Sequence, residues 1–150
     1  MKKMLLPLVG VTAIVFGASA LAGECELTID SNDRMQFDRD EMTVSADCDE
    51  VTVTLTHSGN LSVEQMGHNW VLVRSADFNG VTQDGMAAGL DNEYLKPDDD
   101  RVIAATSLIG GGEETSVTFS LADLDPDGDY EFVCTFPGHP SMMRGDFIIQ

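Results

Sequence analysis

Between Cys134 and Met143 the chain reads Cys-Thr-Phe-Pro-Gly-His-Pro-Ser-Met-Met, which gathers a thiol, an imidazole and thioethers within ten residues. Cys134, His139 and Met143 offer sulfur and nitrogen donors. A second imidazole, His68, stands in the run Met66-Gly67-His68-Asn69-Trp70. Two imidazoles and one thiolate in a trigonal plane, with a weak axial thioether, form a donor set that suits copper as both Cu(I) and Cu(II). Zinc also accepts Cys and two His, but a long thioether contact adds nothing for zinc, and copper(II) binds such donors more tightly. A site filled by protein donors leaves no position for a substrate, which argues against oxidase or hydrolase chemistry and for one-electron transfer. A copper store or delivery protein is the alternative. It calls for an exchangeable site, often with several Met or a Cys-x-x-Cys pair, and the sequence has neither arrangement.

These donors need strands to hold them. Val51-Thr-Val53-Thr-Leu55-Thr-His57 alternates strictly, the period-two signature of a half-buried strand. Further strands are predicted at Cys25 to Ile29, Met42 to Ser45, Asn69 to Arg74, Val102 to Thr106, Ser116 to Phe119, Tyr130 to Thr135 and Phe147 to Gln150. Eight short strands separated by turn-rich segments predict an all-β Greek-key sandwich or barrel. Between Ser75 and Leu95, Val81, Met86, Leu90 and Tyr94 recur at four- or five-residue steps, which predicts one short helix in a crossover. Cys134 then lies near a strand end, and Pro137-Gly138 turns the chain so that His139 and Met143 come back toward it. His68, at the start of another strand, can complete the plane. Gly67 has no side chain to keep its carbonyl oxygen from the opposite axial position. His57, on the face shared by Val53 and Leu55, reads as a buried, hydrogen-bonded histidine, and Trp70 as core.

Residues 1–22 read as a cleaved secretory signal: Lys2 and Lys3, an apolar run from Leu5 to Phe16, and an Ala20-Leu21-Ala22 exit. The apolar stretch is short for a membrane span, so no membrane insertion is expected after cleavage. A lipid-attachment box is narrowly missed, because Glu24 separates Gly23 from Cys25. Residues 23–150 are enough for one domain with its own core. Cleavage removes two lysines and no acid, moving the formal net charge from -18 to -20. Such acidity repels nucleic acid and anionic membranes. The acids are scattered over turns, as in Asp98-Asp99-Asp100, and serve either a solvated surface or a docking face for a basic partner. The Asp123 to Asp129 run lacks the flanking helices and terminal Glu of an EF-hand calcium loop. Export makes disulfides available, and Cys25 and Cys48, with no His or Met nearby, read as a pair. Their bridge would stabilise by roughly 3 kcal/mol through the unfolded state. Cys134 is the odd thiol, and metal ligation accounts for it.

Over essentially all of residues 23–150 the chain resembles the cupredoxin family of blue copper proteins. The resemblance is carried by the early Cys pair, Met35-Gln36-Phe37, the segment from His57 to Leu61, and Met66-Gly67-His68-Asn69-Trp70-Val71-Leu72. Asp84-Gly85-Met86-Ala87, Tyr94-Leu95-Lys96-Pro97-Asp98-Asp99, Arg101-Val102-Ile103-Ala104 and Cys134-Thr135-Phe136-Pro137-Gly138-His139 complete it. It implies one copper ion held by Cys134, His68 and His139 in the plane, Met143 as axial ligand in preference to Met142, and the Gly67 carbonyl as a weaker contact. It implies that Asn69 and the Phe136 backbone N–H hydrogen-bond the Cys134 sulfur and tune the potential. It further implies a periplasmic electron carrier whose His139 ring edge reaches the surface inside an apolar patch of Met35, Leu61, Met66, Met86, Phe136, Gly138 and Met142. Redox proteins such as c-type cytochromes or copper and haem reductases would dock there in short-lived encounters. Gln65 and Pro140 depart from the commoner residues of the family, and Pro140 restricts His139 to extended backbone angles.

Overall fold

Alternation along the Val51–His57 segment is obeyed residue by residue: Val51, Val53 and Leu55 are fully buried, while the threonines between them face outward. The computed structural model describes residues 25–150, so the secretory signal expected over residues 1–22 lies outside the described residues. Strands β1 (Glu26–Asn32), β2 (Gln36–Phe37), β3 (Glu41–Val44) and β4 (Glu50–His57) precede a one-turn helix α1 (Val63–Met66) and β5 (Val71–Arg74). Helix α2 (Phe78–Ala88), β6 (Val102–Ala105), β7 (Glu114–Ser120), β8 (Tyr130–Val133) and β9 (Arg144–Ile149) follow.

The strands form two sheets, ordered β2-β1-β4-β7 and β3-β9-β8-β5-β6. Two pairs, β1 with β4 and β3 with β9, run parallel, which requires connections that cross between the layers. The result is the expected sandwich and not a closed barrel, because each sheet keeps its own edges. The eight predicted segments are all strands, with boundaries shifted by a few residues, and the two-residue β2 adds a ninth.

Trp70 sits between the sheets, with the rings of Phe119, Phe132 and Phe147 each 6.1 Å away. Ile29, Val44, Val51, Val53, Leu55 and Leu72 fill the space around them. Burial of this apolar surface is the main force holding the layers together. Trp70 is fully buried and its indole Nε1 has no hydrogen-bond partner, a local cost borne by the surrounding packing.

β5 is buried on both faces. Leu72 points into the sandwich, while Val71 and Val73 join Phe78, Val81 and Val133 beneath α2. The predicted helix is therefore present, but its buried stripe is Phe78, Val81, Thr82 and Gly85. Met86 and Leu90 are exposed, and the helix ends at Gly89 (φ 76°), before Tyr94. Small residues let the helix approach the next loop closely, and a search for large apolar side chains passes over them. No helix among the described residues is long and apolar enough to cross a membrane.

Candidate metal centre

Cys134 follows directly on β8. Its N–H donates to the Met143 carbonyl (2.9 Å), which ties the two ends of the loop together. Inside, the His139 N–H donates to Phe136 O (3.0 Å), and the N–H groups of Met142 and Met143 both donate to His139 O (2.9 and 2.8 Å). Gly138 takes φ 86°, the left-handed backbone that this turn needs. The second arm leads into β5, the strand hydrogen-bonded to β8 in the same sheet. After α1, His68 exchanges backbone hydrogen bonds with Ile109 (3.0 and 2.9 Å), so its position is fixed as firmly as a strand residue. Gly67 is packed so that a Cβ there would meet the Val63 carbonyl oxygen and press on Leu108.

Among the described residues, His68, Cys134 and His139 bring their ligand atoms within 4.8 Å of one another, and all three are buried. His68 Nδ1 lies 3.8 Å and His139 Nδ1 3.5 Å from Cys134 Sγ. The tautomer of His68 follows from its other nitrogen. Nε2 lies 2.9 Å from the Asn32 carbonyl, which can only accept, so Nε2 carries the hydrogen and the Nδ1 lone pair faces the sulfur. Met143 is fully buried beside Cys134, Leu108 and Phe136, whereas Met142 is 56% exposed.

Burial sets the protonation states. The Cys134 thiol is pushed up to about 12 by desolvation, against which the backbone N–H groups of Asn69 and Phe136 pull in the other direction. Loss of solvent also lowers both imidazoles to about 4, with the Asn32 hydrogen bond opposing this at His68. At neutral pH a neutral thiol and two neutral imidazoles are thus buried side by side. They fit a soft metal cation, which would displace the thiol proton and meet two ready nitrogen lone pairs.

The Asn69 amide spans the site from behind. Its Oδ1 accepts the Thr135 N–H (2.9 Å), and its Nδ2 donates to Thr135 Oγ1 (2.8 Å) and to the Glu93 carbonyl (3.1 Å). Asn32, Thr135 and Glu93 were not foreseen from sequence, because two of them act through backbone carbonyls and no side-chain pattern announces such a role. His57 is 2% exposed, as a buried histidine should be. Its Nδ1 accepts the Gly59 N–H (3.0 Å), its Nε2 donates to the Met66 carbonyl (2.9 Å), and its ring lies 4.6 Å from that of His68.

One expectation about the surface is corrected, at Phe136. His139 is 2% exposed, with the Phe136 ring stacked on its face at 4.6 Å. Phe136 itself is 9% exposed and belongs to the layer beneath the apolar patch. Leu61, Met86 and Met142 are the exposed large apolar side chains among the expected patch residues, Met35 and Met66 are half-buried, and Gly138 is exposed.

A two-sheet sandwich with a buried Cys and two His converging at one pole defines a cupredoxin. The chain belongs to the family described as copper binding proteins, plastocyanin/azurin family, whose model matches residues 23–150. Within it the chain is similar to the azurin of Pseudomonas aeruginosa, 52% identical over 136 residues that cover 91% of this chain and 92% of that protein. It is also similar to azurin-1 of Alcaligenes xylosoxydans xylosoxydans, 55% identical over 122 residues covering 81% and 95%. The azurin of Bordetella pertussis is 52% identical over 130 residues, covering 87% of each chain.

Proposed function

We propose that this protein is a blue copper one-electron carrier of the periplasm, exported by a signal over residues 1–22 and active as residues 23–150. Cys134, His68 and His139 would hold a single copper ion, with Met143 as a weaker sulfur donor and the Gly67 carbonyl as a weaker contact still. The observation that carries this reading is the convergence of two imidazole Nδ1 atoms on one buried cysteine sulfur, at 3.8 and 3.5 Å. Copper supplies the reversible exchange of one electron. The chain supplies a donor set tolerable to both oxidation states and a loop held by backbone hydrogen bonds, so little rearrangement accompanies the change of charge.

The protein donors leave no coordination position for a substrate, so the protein is a carrier and not an enzyme. Electrons pass at the metal end, across the Phe136–His139 stack and the apolar patch around Met142, Met86 and Leu61. Redox proteins such as c-type cytochromes or copper and haem reductases are the fitting partners there, because small apolar contacts allow rapid turnover of the encounter.

Absorption spectroscopy tests the assignment. Protein loaded with copper(II) is expected to be intensely blue, to lose the colour on adding ascorbate, and to keep its copper against a modest chelator. A sample that stays colourless when loaded would refute it, and rapid loss of copper to the chelator would favour storage or delivery.

A further inference from the structure

Glu93 and Tyr94 are consecutive non-glycine residues in the left-handed region, each at φ 54°. A single such residue is uncommon, and two in succession persist only where the surroundings hold them. The surroundings do. The Tyr94 N–H donates to Gly89 O (3.0 Å), and the Leu95 N–H to Asn92 O (2.9 Å). α2 lies so close that a Cβ at Gly85 would collide with the Tyr94 carbonyl oxygen. Further along the same segment, Arg101 pairs with Asp99 (2.6 Å) and with Asp84 of α2 (2.7 Å), closing the loop onto the helix.

The strained pair touches the metal centre twice. The Glu93 carbonyl accepts the Asn69 side-chain amide (3.1 Å). The Tyr94 ring packs edge-on against Phe136, with centroids 5.0 Å apart, and Phe136 in turn stacks on His139. The backbone N–H groups of Asn69 and Phe136 bear on the Cys134 sulfur, each pulling its thiol down against the effect of burial. One turn therefore abuts both residues from outside the ligand loops.

We propose that the left-handed Glu93–Tyr94 turn is the positioning element for both amide donors to the Cys134 sulfur, Glu93 acting through Asn69 and Tyr94 through Phe136. This rests on the copper-carrier reading for its effect on the potential, but the positioning itself is a property of the protein without metal. Hydrogen bonds to a thiolate stabilise its negative charge and reduce its donation to the metal, which favours Cu(I). Loosening one of them therefore lowers the reduction potential.

The test compares Tyr94→Ala with Tyr94→Phe. In metal-free Tyr94→Ala, amide hydrogen exchange at Phe136 should rise about three- to tenfold, the range set by losing one aromatic pair. Exchange at Val53 and Leu55 in β4 should stay as in the wild type. In the copper-loaded variant the reduction potential should fall and the sulfur-to-copper absorption band should move. Tyr94→Phe, which keeps the ring, should restore both. Unchanged exchange at Phe136 with an unchanged potential overturns the proposal. So does a rise that includes β4, which would mark general loosening, or a Tyr94→Phe variant that behaves like Tyr94→Ala. If the wild-type protein fails to turn blue with copper(II), the carrier reading fails, while exchange in the metal-free variants still decides the positioning role.

Discussion

Cys134, His68 and His139 are held in protonation states that burial selects, and a measurable proton balance follows. At pH 7 the thiol, pushed up to about 12, is protonated, while the imidazoles, lowered to about 4, are neutral. Copper binding near pH 7 should therefore release about one proton, from Cys134, which calorimetry in buffers of different ionisation enthalpy will read. The same shifts make the metal-free protein acid-sensitive. Each imidazole binds its proton near 6.5 when unfolded and only near 4 when folded, so protons favour the unfolded state as the pH drops. The stabilising contribution is complete above about pH 6.5 and is lost as the pH falls toward 4, a decline that urea midpoints measured across this window should follow. These donors were legible in the sequence because side chains carry them and their spacing is local. What orients them was not. The Asn32 and Glu93 carbonyls lie 36 and 24 residues from the side chains they bind, and nothing about their residue type marks them.

At the scale of elements, the strands were easiest to read where one face is wet, as along β4, whose threonines alternate with buried aliphatics. β5 and α2 were harder for a common reason: each packs on the other, so β5 loses its polar face, and α2 uses Thr82 and Gly85 where large apolar residues were sought. The spacing of apolar residues from Ser75 to Leu95 signals a helix, but the close approach of Gly85 to Tyr94 sets which face it buries. Gly85→Ala tests that contact. It should destabilise the protein by about 1–3 kcal/mol through overpacking against backbone that cannot move away cheaply, as read from the urea midpoint. An alanine accommodated without loss would mean that α2 and the loop can separate.

For the whole molecule, the bridge Cys25–Cys48 pins the start of β1 to the approach of β4, with Cα atoms 5.8 Å apart. Replacing both cysteines with alanine should cost about 3 kcal/mol of stability and leave the copper spectrum unchanged, since the bridge acts on the unfolded chain and lies outside the metal cluster. The net charge of -18 was plain from composition, yet its local uses emerge only in three dimensions. Asp33 accepts the Asn60 and Leu61 N–H groups, Asp38 that of Asp30, and Asp125 that of Asp127, so several acids fix turns. The remaining field still reaches solution, and electron exchange with a basic cytochrome should slow as ionic strength rises. The central claim, a closed copper site that exchanges one electron, is tested most directly by potentiometric titration of the copper-loaded protein, followed through its blue absorption. A single reversible one-electron transition, with full return of colour and no copper released, is the predicted result. A colourless oxidised protein, or copper lost on reduction, would contradict it.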